Sequence, residues 1–178
     1  LHIKKDGVEG YASAAYIKLQ AGQTITYGSG TVINFPFVNS QYISPNGVKD
    51  KLERIHNEYV LKRPNQTRYI FDSYGTLARI IDKNNNTLTF HYNDNHLEYV
   101  CDNLDRKMHF QFNDKVLLYK VIDPLGRTVE YVYNNNGYLY KVIDLNGNIT
   151  TYEYSDTSSE QGAQTDKKLT AIIDGNGN

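Results

Sequence analysis

Over most of the chain, apolar and polar residues alternate in short runs, and the runs recur. Aromatic residues stand in pairs two apart: Tyr69 and Phe71, Phe90 and Tyr92, Phe110 and Phe112, Tyr131 and Tyr133, Tyr152 and Tyr154. Their second members step by 21, 20, 21 and 21 residues. A spacing of two puts both rings of a pair on one side of an extended chain, so each pair predicts a half-buried strand. A second column holds Leu77, Leu97, Leu118, Leu139 and Leu169, and three residues after each comes Ile80, Val100, Val121, Val142 or Ile172. Two further on stands Asp82, Asp102, Asp123, Asp144 or Asp174. Three beyond that comes Asn85, Asp105, Gly126, Gly147 or Gly177. The last step of these columns is 30 instead of 21, which places an insertion of nine residues in the polar stretch 155–166, predicted to be an exposed loop.

Each unit therefore reads as two strands and two turns. The Asp-x-x-Gly element is turn chemistry: the aspartate accepts hydrogen bonds from the amides that follow, and glycine supplies positive φ. Asp123-Pro124-Leu125-Gly126 adds a proline preset for an early turn position. Hairpins repeated in this way predict an all-β fold, a continuous antiparallel sheet of stacked hairpins whose core is the aromatic and leucine columns. One unit alone cannot bury its own face. Residues 1–65 are less regular and predict a β segment that caps the repeats of residues 66–178. Within it, residues 24–27 and 31–35 form a hairpin about Gly28-Ser29-Gly30, and residues 52–61 and 67–71 form strands flanking Arg63-Pro64-Asn65-Gln66. No window carries the period of an amphipathic helix; the nearest is residues 48–56, which hold few apolar side chains.

Composition agrees with this reading. The 178 residues include 16 Tyr, 13 Gly, 4 Pro and no Trp, the content of strands joined by tight turns. The net charge of −1 gives no basic footprint for nucleic acid or an anionic membrane. A single cysteine, Cys101, excludes an internal disulfide, and no apolar run is long enough to span a bilayer as a helix. The chain opens Leu-His-Ile with neither an initiator Met nor a signal peptide, which reads as a fragment of a longer protein. Such a fragment presents an open strand edge at Leu169 and Ile172, so weak self-association through open sheet edges is expected.

Candidate chemistry is sparse. His2, His56, His91, His96 and His109 lack metal-ligand spacing, and alternation turns His91 and His109 away from the aromatic side. The aspartate column suggests calcium, but equivalent residues two strands apart lie roughly 9–10 Å apart, too far to share an ion. Cys101 has no neighbouring base to activate a thiol, and Gly28-Ser29-Gly30 lacks the Lys-Ser/Thr of a phosphate loop. The tyrosine columns could stack on sugars or bases, but their strict repeat favours core packing. No cofactor, metal or catalytic residue is expected.

At Phe71-Asp72-Ser73-Tyr74-Gly75-Thr76-Leu77-Ala78-Arg79-Ile80-Ile81-Asp82 the chain resembles the YD repeat of the Rhs family, and the match recurs from Tyr133-Asn134 through Gly137, Leu139, Asp144 and Gly147 to Tyr154. The residue after the second aromatic is Asp only at Asp72; later units carry Asn93, Asn113, Asn134 and Ser155. Rhs-like proteins include bacterial polymorphic toxins, wall-associated proteins, toxin-complex components and teneurins. The resemblance implies a curved sheet forming part of a hollow shell, which in toxins encloses a C-terminal effector. It further implies a non-catalytic structural role, a bacterial secreted or cell-surface location, and as partners the rest of the shell and an enclosed effector. The competing expectation is an adhesin or carbohydrate-binding module using exposed tyrosines.

Overall fold

The computed structural model describes residues 3–5, 8–10, 18–20, 23–155, 168–175 and 177. The inserted segment, apart from residue 155, lies outside them. Among the described residues there is no helix, and the fold is all-β. Seven short strands come first: β1 (Ile3–Lys5), β2 (Val8–Gly10), β3 (Lys18–Gln20), β4 (Thr24–Thr26), β5 (Val32–Asn34), β6 (Phe37–Val38) and β7 (Gln41–Tyr42). Then come β8 (Lys51–Ile55), β9 (Glu58–Lys62), β10 (Arg68–Phe71), β11 (Leu77–Ile81), β12 (Thr87–Asn93) and β13 (His96–Asp102). The last six are β14 (Lys107–Phe112), β15 (Leu118–Ile122), β16 (Thr128–Tyr133), β17 (Leu139–Ile143), β18 (Ile149–Tyr154) and β19 (Leu169–Ile173). Strands β8 to β19 follow one another in sequence order through one twelve-stranded antiparallel sheet.

The chain divides into two compact units: residues 1–91 with 100–105, and residues 92–99 with 106–178. In unit 1, cross-strand pairs Leu52↔Leu61, Tyr69↔Leu61, Phe71↔Tyr59, Tyr69↔Ile80 and Phe71↔Leu77 set one apolar face. The separate three-stranded sheet β3–β4–β5 brings Leu19, Ile25 and Phe35 into one cluster with Leu52, Leu61, Phe71 and Leu77, all nearly out of water. In unit 2 the same columns meet across the strands, in the pairs Phe110↔Val121, Phe112↔Leu118, Tyr131↔Val142, Tyr133↔Leu139, Tyr152↔Ile172 and Tyr154↔Leu169.

One sequence expectation needs correction, and one spacing finds its cause. Residues 52–61 are two strands, not one: the chain reverses at His56-Asn57 between β8 and β9, with His56 in the left-handed region at φ 55°. A polar residue with a short side chain stem tolerates that conformation, and nothing in the apolar pattern marks it. The interval of three between the leucine and Ile/Val columns breaks the period of two inside a strand, and a β-bulge is the cause. Gln111 pairs with Lys120 but Phe112 pairs with Leu118, leaving Tyr119 as the extra residue. The same irregularity recurs at Ala78, Tyr140 and Thr170. The extra residue returns both apolar side chains to one face.

Candidate functional surface

The turns that frame the sheet share one geometry. The N–H of Asp123 donates to the carbonyl of Arg127 and the N–H of Gly126 to that of Asp123, both at 2.9 Å. The same two bonds close the turns beginning at Arg63, Asp72, Asp82, Asn113, Asn134 and Asp144. This is a type I turn followed by a left-handed residue that forms a bulge. That residue is Gly75, Gly126, Gly137 or Gly147, and also Gln66, Asn85 and Val116; Gly177 and Asp105 take the same conformation. The first side chain then caps the turn. Asp123 Oδ1 accepts the N–H groups of Leu125 and Arg127, both at 2.9 Å, and Asp72, Asp82, Asn113, Asn134 and Asp144 accept the equivalent pair.

The second oxygen is engaged as well. Asp82 Oδ2 accepts from Asn86 Nδ2 at 2.7 Å, Asp123 Oδ2 from Arg127 Nε at 2.6 Å, and Asp144 Oδ2 from Asn148 Nδ2 at 2.8 Å. The side-chain bond from Asn86 holds the Asp82 carboxyl below the usual carboxylate range, and the bond from Asn148 does the same for Asp144. At Asp123 partial desolvation pushes upward, and the Arg127 bond with the turn amides outweighs it. The aspartates are thus turn caps whose lone pairs face their own loops, and no group of three or more metal-ligating side chains converges among the described residues.

The two faces of unit 2 differ in chemistry. One carries the aromatic pairs from Phe110 to Tyr154 with Leu118, Val121, Val129, Leu139, Val142, Leu169 and Ile172, all partly exposed apart from Leu169 and Ile172, which are exposed. Burial raises the Tyr131, Tyr133 and Tyr154 hydroxyls above the ordinary phenol range, and Tyr133 donates to the Leu118 carbonyl at 2.7 Å. The other face carries Lys120 paired with Glu130 at 2.8 Å. In unit 1 the corresponding face holds Lys62–Glu53 at 2.7 Å and Arg79–Glu58 at 2.8 Å. Such pairs, near the surface, add little stability, about 0–1 kcal/mol each.

The histidines do not converge. His109 packs on Tyr99 with ring centroids 5.4 Å apart, and His96 on Phe112 at 5.7 Å. His109 pairs with Ile122, on the side opposite Phe110, and His56 sits in a turn. His2 lies outside the described residues. The Cys101 thiol approaches the Asp102 carbonyl at 3.4 Å. A shallow open groove in unit 1 lies between the turns 63–66 and 82–85. Its cations are largely engaged: Lys62 by Glu53, Arg68 by Asn85 Oδ1 at 2.7 Å, and Arg63 by Asp50 at 3.6 Å.

Asp50 is the polar residue that sequence reasoning missed. It is buried, accepts the Tyr27 hydroxyl at 2.6 Å, and offers its backbone carbonyl to Ser44 Oγ at 2.7 Å. Burial first, and then the bond to Asp50, hold the Tyr27 proton well above the ordinary phenol range. Arg63 lies over the Tyr27 ring at 5.8 Å, completing a compensated buried charge. The residues come from three separate turns, so no local pattern announces them.

No family model matches the chain, and no curated protein matches it. Among solved structures it is similar to the crystal structure of TcdB2-TccC3-Cdc42, at 11% identity and a TM-score of 0.35, over 78% of this chain and 7% of that one. It is similar also to TcdB2-TccC3 without its hypervariable C-terminal region, at 12% identity and a TM-score of 0.34, again over 78% and 7%. The chain spans a small fraction of the length of either neighbour.

Proposed function

We propose that the chain is a non-catalytic wall segment of the hollow β-sheet shell of an Rhs-type bacterial protein, secreted or held at the cell surface. The observation that carries this reading is the repeated register: aromatic opposite Leu and Ile/Val, one bulge, and the same capped turn, unit after unit. Such a unit can be continued indefinitely without changing its geometry, which suits a wall and not a pocket. Its polar groups close turns or pair with each other, so they are spent on structure. In the shell, the aromatic face is turned toward the enclosed space and the ion-paired face toward solvent, with the remaining repeats and an enclosed C-terminal segment as partners.

The test uses the full-length parent protein in a Cys101→Ser background. A cysteine at Val129→Cys reports the aromatic face and one at Glu130→Cys the opposite face. A bulky thiol reagent should modify the second and spare the first, while both react in denaturant. Equal reaction of both positions in the folded parent overturns the reading.

A further inference from the structure

Asn-Gly occurs four times in the chain, at Asn46, Asn136, Asn146 and Asn176, the last outside the described residues. This dipeptide carries a built-in reaction, because glycine has no side chain to keep its nitrogen away from the asparagine side-chain carbonyl carbon. The three described copies sit in turns, and all three asparagines are exposed. Exposure therefore does not separate them, and neither does room at the glycine: a Cβ on Gly47 or on Gly147 would meet nothing within 4 Å. Hydrogen bonding does separate them. The Gly137 N–H donates to the Asn134 carbonyl at 2.9 Å, and the Gly147 N–H to the Asp144 carbonyl at 3.0 Å. The asparagine amides are held as well, the Asn136 N–H by Asn134 Oδ1 at 3.0 Å and the Asn146 N–H by Asp144 Oδ1 at 2.8 Å.

The turn at Asn46-Gly47, between β7 and β8, is built differently. It closes by the Val48 N–H on the Pro45 carbonyl at 3.0 Å, with Gly47 at φ 81°. Among the described residues, neither the Asn46 N–H nor the Gly47 N–H donates to any acceptor. Both ends of the turn are nevertheless tied down. Ser44 donates to the carbonyl of buried Asp50 at 2.7 Å, and Val48 packs against the buried cluster that includes Leu52 and Leu61. A change of backbone length between these two anchors must strain one of them.

We propose that Asn46-Gly47 is a site of spontaneous deamidation and isomerisation in the folded chain, from which the capped turns at Asn136 and Asn146 are protected. The Gly47 nitrogen gives its proton to hydroxide and bonds to Asn46 Cγ, and the side-chain amide leaves as ammonia. Water then opens the cyclic imide at either carbonyl, leaving aspartate or β-linked isoaspartate at position 46. One water enters and one ammonia leaves, so no other reagent is required. A nitrogen whose N–H is bonded to a carbonyl must first break that bond. Gly137 and Gly147 carry that cost and Gly47 does not. The product puts a carboxylate in the turn and, in the isoaspartate form, lengthens the backbone between Ser44 and Val48. The inference is independent of the shell reading, since it concerns one turn whatever the parent encloses.

The experiment incubates the whole chain in mildly alkaline buffer, folded and in denaturant. Each Asn-Gly peptide is followed by mass spectrometry with fragmentation that separates aspartate from isoaspartate. The denatured rates supply the reference for each dipeptide. In the folded chain Asn46 should react at close to its denatured rate, while Asn136 and Asn146 slow by at least roughly fivefold, the worth of one net hydrogen bond. The aged chain should lose melting temperature. An Asn46→Gln chain, whose longer side chain closes the imide far more slowly, should lose little over the same interval. Three results overturn the proposal: Asn46 slowed as much as the other two, Asn136 or Asn146 reacting at its denatured rate, or the same loss of melting temperature in the aged Asn46→Gln chain.

Discussion

Unit 1 and unit 2 are built from the same repeat, yet only one of them has a dry core. Phe71, Leu61 and Ile25 are completely buried, and every buried apolar residue among the described residues belongs to unit 1. Phe112, Leu118, Tyr133 and Leu139 occupy the same columns in unit 2 and remain partly exposed. The register is the same in both, so pairing does not account for the difference. What differs is a second layer: β3, β4 and β5 lay Leu19, Ile25 and Phe35 over the first hairpins. A single sheet, however regular, leaves its apolar face half wet until another layer covers it. Side-by-side stacking of repeats supplies hydrogen bonds and cross-strand contacts, and the covering layer supplies burial.

The largest test of this contrast is truncation at equivalent positions. Phe71→Ala should destabilise by about 3–5 kcal/mol, the cost of emptying a fully buried aromatic site. Phe112→Ala, the same change at the same column of an uncovered unit, should cost about 1–2 kcal/mol, because less apolar area is taken from water. Denaturant titration of both variants measures the gap. Equal losses would break the comparison by showing that unit 2 is as well covered as unit 1.

A second contrast concerns a single Cβ. Gly75 and Gly126 hold the same turn position, with φ of 85° and 80°. A Cβ on Gly75 would lie 2.2 Å from the backbone oxygen of Leu19, whereas one on Gly126 meets nothing within 4 Å. Both Gly→Ala variants carry the left-handed cost of about 1–2 kcal/mol. Gly75→Ala should add an overpacking cost of about 1–3 kcal/mol, since β3 must lift away from the sheet. Thermal unfolding should separate the two clearly; similar melting temperatures would mean that β3 yields freely.

Acid should act on the turns. The Asp82, Asp123 and Asp144 carboxyls titrate below their ordinary range in the folded chain. A depressed folded value means that the ionised form is stabilised by folding. That contribution is complete above the unfolded value of about 4 and disappears as pH falls through the lower folded values. Asparagine already does the capping at Asn113 and Asn134. Asp123→Asn/Asp144→Asn should therefore keep the fold and flatten the loss of melting temperature below about pH 4. An unchanged acid limb would place the acid sensitivity elsewhere.

Much of this was legible in the sequence, for a physical reason: a repeat writes its constraints many times. The aromatic pairs, the aspartate caps and the glycine positions each recur, so the strands, the turns and their spacing could be read directly. Even the bulge was present, as an interval of three between Leu118 and Val121 where a regular strand has two or four. The features that were not legible occur once. The reversal at His56, the Asp50–Tyr27–Arg63 contact and the approach of Leu19 to Gly75 join segments far apart in sequence through single contacts.

The smallest effect is a stabilisation. Val116 fills the left-handed position of its turn at φ 61°, where Gly126 and Gly137 stand in neighbouring turns. A β-branched residue is an outlier in that region, because its Cβ substituents crowd the following carbonyl. The turn nevertheless closes, with the Val116 N–H bonded to the Asn113 carbonyl at 2.8 Å, and the side chain is 47% exposed, so little packing is lost with it. Val116→Gly removes strain of about 1–2 kcal/mol and adds about 0.5–1 kcal/mol of unfolded-state backbone entropy. The net expectation is a gain of about 0.5–1 kcal/mol, read as a raised denaturation midpoint at unchanged slope. Val116→Asn, which tolerates the left-handed region and costs less entropy, should gain a similar amount. A loss in both variants would show that the valine side chain contributes packing that outweighs its strained backbone.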